Sequence, residues 1–490
     1  MFYRIKYILL VCLVILSGKT AGQTGQVLYN MNLPQNHLMN PALHPSNSLF
    51  VGLPVISGLY LGVNNNFISY SDVFSRSASS DSVYSFLHSE EATDVFLDRI
   101  NNKNSFAPQI TIPILGIGFK GAKGLYFFID INDRFEGNAV FPGDIIKLVL
   151  KGNEAFVGDK IDLSSLRMDM RYFREFGFTI SKEISNKLTV GIRPKIFTGI
   201  MATRFKNRSL GISVSDDYTH TIDADFTANF SGPFEVYTDS DNNLESINFD
   251  DSWFSFNTMT SIQNRGLGLD LGATYMLLNN KVMVSAALTD IGYIKWNRDA
   301  TNLTVKGEYT FDGLDMTDAI NGSKELEDIG SELLDSLKNS FVLTQTNKPF
   351  TTWLAPGLTL GGTYNLNKNI SFGVLSYTRF IGKQVRESLT FSGNVNLSNL
   401  FSFSLGYSFQ NQRADNLGAG IAFRAGIFQF YFVSDRIPVS WDKLIIDDNS
   451  SVTIPSNWNT INMRLGMNLS FGNKVSKKND KSIIQNQQTF

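Results

Sequence analysis

The chain has 490 residues, with 43 Lys and Arg against 45 Asp and Glu for a formal net charge of −2, and one cysteine. That balance lacks the basic footprint of a nucleic-acid binder. A single thiol excludes a disulfide framework and a thiolate metal site, so stability must come from backbone pairing and packing.

The N-terminus opens with Arg4 and Lys6, runs apolar from Tyr7 to Leu16 and ends in the small residues Thr20, Ala21 and Gly22. Residues 1–22 therefore have the pattern of a secretory signal peptide, with cleavage expected near Gly22. The alternative, a retained anchor, needs roughly 18 or more apolar residues, and here the run stops at Ser17, Gly18 and Lys19. Cys12 lies inside the run, so the mature chain carries no thiol, and losing the three cations Arg4, Lys6 and Lys19 takes the charge from −2 to about −5. No later segment approaches the ~20 continuous apolar residues of a membrane helix, so any crossing is made by strands.

Residues 23–47 form a segment ahead of the first strand, and from 48 to 473 the apolar residues fall on alternate positions over stretches of about ten, the period of a two-faced strand. Phe401, Phe403, Leu405, Tyr407 and Phe409 oppose Ser402, Ser404, Gly406, Ser408 and Gln410; Ile461, Met463, Leu465, Met467, Leu469 and Phe471 oppose Asn462, Arg464, Gly466, Asn468 and Ser470. Small polar residues against aromatics suit a curved wall with a crowded or wet concave side and a lipid-facing convex side. The alternative is a soluble sandwich. Phe is the most abundant aromatic, at 39 residues, while Trp296, Trp353, Tyr364 and Trp458 stand near strand ends as an interfacial girdle requires.

Six tight turns, 121–124, 184–187, 278–281, 365–369, 396–399 and 424–426, are rich in Gly, Asn and Lys. With both ends of the barrel on the same side they imply about fourteen strands. The predicted fold class is all-β, a single transmembrane antiparallel barrel with short helices in its loops. The longer polar connections, 71–105, 134–167, 199–264, 297–349 and 434–458, are expected to be outer loops. Leu326, Ile329, Leu333, Leu337 and Phe341 repeat at helical spacing, and Asp144 to Leu150 predicts a second short helix. Residues 474–490, with Lys474, Lys477, Lys478 and Lys481, read as a polar basic periplasmic tail.

Strand parity places Arg171, Glu175, Arg193, Lys195, Asp270, Arg379, Arg386 and Arg464 on the concave side, where charges need water or partners. Two readings stay open: a lumen knitted by ion pairs, or a positively biased passage for an anionic amphiphile or small anion. Asp290-Ile291-Gly292 reads as a bulge, because the apolar parity of Val282 to Leu288 flips after it. Gly266, Gly268 and Gly272 alternate with leucines in a strand and miss the dinucleotide spacing. Of four histidines, His37 and His44 precede the first strand while His88 and His220 fall in loops. None neighbours a nucleophile elbow or a metal spacing, so each reads as a solvated residue and neither an enzyme nor a cofactor is expected.

Asn40-Pro41-Ala42 resembles the Asn-Pro-Ala sequence near the start of FadL-like fatty-acid transporters. It is joined by Leu288-Thr289-Asp290-Ile291-Gly292-Tyr293-Ile294-Lys295-Trp296 and by Phe141-Pro142-Gly143-Asp144 with Gly152-Asn153 downstream. Together, from Tyr29 to Phe471, these look like an uncharacterised barrel family of Bacteroidota, a domain of unknown function related in architecture to FadL-like and PorV-like proteins. The resemblance implies a fourteen-stranded outer-membrane barrel, with Val27 to His44 as the counterpart by position of a lumen plug. The leading expectation is passive movement of a hydrophobic or amphipathic small molecule across the outer membrane after signal-dependent export. The rivals are a docking barrel that binds other envelope or secretion-system proteins and, third, an outer-membrane enzyme. Lipid is the expected partner throughout.

Overall fold

The computed structural model describes residues 26–31, 33–76, 83–238, 244–250, 264–312, 340–382, 384–397, 400–410, 413–438, 441–447, 450–455 and 460–472. The signal-peptide and basic-tail expectations lie outside these residues, as do Trp458 and the expected helix from Leu326 to Leu337, whereas its last member, Phe341, is described and begins the strand Phe341–Thr346.

Fourteen antiparallel strands pair in chain order and close into a barrel. The first strand, β1, is in two pieces, Leu49–Gly52 and Leu59–Asn65. It is followed by β2 (Asn104–Lys120), β3 (Leu125–Phe141), β4 (Arg167–Glu183), β5 (Leu188–Val214), β6 (Asn264–Leu277) and β7 (Val282–Trp296). The second half begins with β8, again in two pieces, Phe350–Trp353 and Gly357–Asn365. Then come β9 (Ile370–Ile381), β10 (Gln384–Leu397), β11 (Phe401–Gln410), β12 (Arg413–Ala425), β13 (Phe428–Ser434) and β14 (Thr460–Phe471). Closure is made by β14 against both pieces of β1, for example Phe50 opposite Ser470 and Tyr60 opposite Arg464.

The wall is inverted relative to a soluble protein. Phe391, Phe403, Tyr407, Phe430 and Leu465 are exposed on the convex side, while Ser388, Thr390, Ser404, Ser408 and Asn468 are buried on the concave side. Water would penalise such a convex surface at each apolar position, and a hydrocarbon surrounding removes that penalty.

All six predicted turns fall between consecutive strands at one end of the barrel, here termed the turn end. The other end departs from expectation in two ways. Only two residues separate β9 from β10 and β11 from β12 there, so short connections occur at both ends. The wall is also far taller on one side, because much of the expected loop sequence continues as strand. Beyond Gly199, β5 leaves β6 and pairs with His220–Ser231, which pairs with Ala300–Phe311 and then Phe341–Thr346. The expected loop start at Arg134 is likewise strand up to Phe141.

Two helices stand on this tall rim. Helix α1 (Glu90–Arg99) was not legible in the sequence reading. Ser89 caps it by accepting from the Ala92 amide, and Glu90, Glu91 and Arg99 oppose the helix dipole. Helix α2 (Gly143–Lys151) starts after Pro142 and ends at Gly152, whose φ of 71° suits a residue without a Cβ. Lys151 ties the two helices through Glu90 and Asp94.

Candidate functional site

The segment 26–47 lies inside the barrel and crosses it from the outer part of the β10–β13 wall to the turn end. It opens as a short helix, Gln26–Tyr29, every residue of which is buried. Gln26 bonds Ser388, Thr390 and Ser408, and the Val27 amide donates to Asp435 Oδ1 at 2.8 Å. Val27, Leu28, Met31 and Leu33 pack on Ala422, Tyr431 and Val433. Tyr29 bonds Ser285, and Asn30 Nδ2 donates to Ser392 Oγ at 3.0 Å. A 3-10 turn, Pro34–Leu38, brings Gln35 to Asn468 at 2.9 Å and to the Ser57 carbonyl at 2.7 Å.

Asn40-Pro41-Ala42 then runs across β5 and β6. Asn40 Oδ1 accepts from the Ala42 amide at 2.9 Å. A Cβ at Gly191 would collide with the Pro41 backbone, and one at Gly272 with Asn40. These glycines are where the wall admits the segment. The expectation of solvated histidines is corrected here. His37 is buried, stacked on Phe128 at 4.0 Å and 3.3 Å from Asp130 Oδ1. His44 stacks on Tyr126 at 5.2 Å, and its Nε2 lies 4.0 Å from Glu183. His220, by contrast, is a rim residue bonded to Asn153 at 2.8 Å.

The opposite half of the lumen holds a charge cluster. Arg193 reaches Asp130 at 2.5 Å, Glu175 at 2.6 Å and Asp270 at 2.9 Å. Lys195 lies 2.6 Å from both Asp270 and Asp290. Arg134 pairs with Glu136, Glu175 and Asp290, while Arg171 and Arg379 meet at Glu136. Register explains the convergence, since Arg193 and Asp270 are cross-strand partners, as are Arg171 and Glu136. Among the described residues of the cluster, five cations thus face five carboxylates.

Six of the eight predicted lumen charges, Arg171, Glu175, Arg193, Lys195, Asp270 and Arg379, come together in this cluster. Arg386 is the cross-strand neighbour of Arg379, and Arg464 stands apart, over the Tyr60 ring at 5.0 Å. Sequence reading missed Asp130, Arg134 and Glu136. They continue the even-numbered concave face of Tyr126 and Phe128; Arg134 and Glu136 were lost because the strand was ended too early at Arg134, whereas Asp130 lay within the expected strand and was overlooked.

Asp290 joins through the bulge. Two residues of β7, Thr289 and Asp290, stand opposite the single Asp270 of β6, and Asp290 has φ 57°. Its amide donates to Asp270 Oδ1 at 2.6 Å, which leaves its carboxylate facing Arg134 and Lys195. The same flip turns Gly292, Ile294 and Trp296 inward. Trp296 is therefore not part of the outer girdle: it is fully buried, donates to Thr352 at 2.9 Å and packs with Phe173, Phe197 and Leu354. Trp353 and Tyr364 are exposed on the convex side as expected.

Between the underside of the inner segment and the turn-end wall lies a cavity of about 400 Å³. Among the described residues no group of three His, Cys, Asp or Glu is placed to hold a metal ion.

A family profile matches residues 41–435, more than half of the chain. The chain belongs to DUF5723, a family of unknown function. No curated protein matches this family member. Among solved structures it is similar to a Pseudomonas aeruginosa FadL homologue, at 9% identity and TM-score 0.40 over 90% of this chain and 94% of the other. It is also similar to the Ralstonia pickettii toluene transporter TbuX, at 12% identity and TM-score 0.41 over 89% and 94%. The Pseudomonas putida toluene transporter TodX gives 8% identity and TM-score 0.36 over 88% and 92%. At such values these likenesses assign neither a substrate nor a route to this DUF5723 member.

Proposed function

We propose that this protein is an exported outer-membrane barrel through which a small hydrophobic or amphipathic molecule passes without an energy source of its own. Its turn end faces the periplasm, and segment 26–47 is a plug that must shift for passage. The observation that carries this reading is how the plug is attached. The wall is cross-linked by buried ion pairs, whereas the plug is held largely by neutral hydrogen bonds from Gln26, Tyr29, Asn30 and Gln35 to hydroxyls and amides of the wall. Water or a passing molecule can replace such bonds at low cost. A barrel that served only as a scaffold would have no need of two kinds of attachment.

The test uses the absence of cysteine after residue 12. Asn30→Cys with Ser392→Cys, joined by a short bifunctional thiol reagent, should abolish flux of a small amphiphile into proteoliposomes, and a cleavable reagent should restore it on reduction. Undiminished flux through the locked barrel would refute the reading.

A second reading, a docking barrel for envelope proteins, draws support from the one-sided strand extension of Leu188–Val214, His220–Ser231, Ala300–Phe311 and Phe341–Thr346. It expects a stable partner on native purification, lost when residues 199–264 are removed.

A further inference from the structure

The turn-end cavity has a chemical bias that the ionic cluster lacks. Its apolar floor is made by Met31 and Leu33 of the plug together with Met276 and Met283 of the wall. Unbranched methionines adapt to ligands of varied shape. Among the described residues the lining contains two cations, Lys368 and Arg424, and no Asp or Glu. Arg424 donates from Nε to the Gly426 carbonyl at 3.0 Å and from Nη2 to the Ser470 carbonyl at 2.7 Å, so these acceptors orient the guanidinium without neutralising it. This contrasts with the ionic cluster, where each cation meets at least one carboxylate.

The second observation is Asn36, a plug residue in the same lining that is only 7% exposed. Its Nδ2 is committed to the Tyr29 and Met31 carbonyls, which fixes the amide orientation, and its buried Oδ1 has no hydrogen-bond partner. A buried acceptor left alone is destabilising, and a ligand that brought a donor would remove that cost. The volume of about 400 Å³ lies in the range of small-ligand sites.

Resting on the passage proposed above, we infer that this cavity is a binding site for a small amphipathic anion that carries a hydrogen-bond donor beside its charged group, such as a hydroxylated medium-chain carboxylate. Its apolar body lies against the methionines, its charge faces Arg424 and Lys368, and its donor meets Asn36 Oδ1. Because the plug supplies Met31, Leu33 and Asn36, an occupied site favours the plugged state and is entered from the turn end.

The test is calorimetric titration of the full chain in lipid nanodiscs with 3-hydroxydecanoate, decanoate and decyltrimethylammonium, with empty nanodiscs as the blank. The expected order is 3-hydroxydecanoate about three- to tenfold tighter than decanoate, from one added hydrogen bond, with decyltrimethylammonium weakest. Met283→Trp should abolish saturable binding by filling the floor. Arg424→Gln should weaken both anions roughly tenfold and leave the hydroxyl preference intact. Heat-modifiable migration reports that each variant is folded.

Equal binding of cation and anion overturns the inference, and so does an unchanged isotherm for a folded Met283→Trp. Its failure is separable from that of the passage reading. Flux that the plug cross-link abolishes and Met283→Trp leaves untouched rejects this site and keeps passage, while saturable binding without flux does the reverse.

Discussion

The two halves of the lumen are built from different chemistry. From β3 to β7 the concave face is ionic, and its partners join strand to strand: Glu175 of β4 meets Arg134 of β3 and Arg193 of β5. From β9 to β14 three cations, Arg379, Arg386 and Arg464, share the concave face with a neutral lining of Ser388, Thr390, Ser392, Ser404, Ser408 and Asn468, several of which join the wall to the inner segment. Removing one partner from a buried ion pair costs about 3–5 kcal/mol because a charge is left in low dielectric. Losing a neutral hydrogen bond costs about 0.5–1.5 kcal/mol. The ionic half therefore fixes the wall, while the inner segment is held by bonds that are individually weaker. They touch at Asp130, which serves both Arg193 and His37.

The contrast is open to direct attack. Asp270→Ala removes the shared acceptor of Arg193, Lys195 and the Asp290 amide. It should cost about 3–5 kcal/mol of barrel stability, read as a lower denaturant midpoint for the heat-modifiable band. If Asp270→Ala proves no worse than Ser388→Ala, the two halves are not different in kind.

Gly272→Val should act on the plug instead. Its side chain collides with Asn40, which disfavours docking by about 1–3 kcal/mol while the barrel itself stays folded. Protease cleavage within 26–47 should rise while the band position holds. Loss of the band as well would mean that plug and wall fold as one unit.

The third prediction uses pH. Burial pulls His44 down from its ordinary value to about 4, aided by nearby Lys120. The undocked plug then binds the proton more readily than the docked one, so docking is full above about 6.5 and weakens as pH falls toward about 4. Glu183, 4.0 Å from Nε2, offsets part of the loss. Protease access to the plug should increase on acidification, and His44→Phe, which keeps the stack on Tyr126, should remove most of that dependence. A pH-independent wild type would rule His44 out as a determinant of docking.

The smallest effect is expected from Ser388→Ala, about 0.5–1.5 kcal/mol on plug docking and none on the wall midpoint.

Much of this architecture was legible before any coordinates. Alternation in segments such as 401–410 and 461–471 specified two-faced strands, and Gly, Asn and Lys clusters marked all six turn-end hairpins. The bulge at Asp290 showed itself through the parity flip, because one inserted residue reverses every side chain after it. The inward place of Trp296 followed from that same flip and was overlooked in favour of the girdle. Arg134 and Glu136 were lost because polar sequence in a tall strand looks like loop when its alternation is not followed to the end.

Local pattern, then, determined which side of each strand is apolar and how many strands close the wall, since both depend on neighbours two residues apart and on turns of a few residues. Which charges meet depended on register between strands 77 residues apart, as for Arg193 and Asp270. Where the plug runs depended on two missing side chains, at Gly191 and Gly272, and on hydroxyls more than 350 positions away, as at Gln26 and Ser408. Only the closed barrel brings such groups together, because a concave surface converges side chains that the chain itself keeps apart.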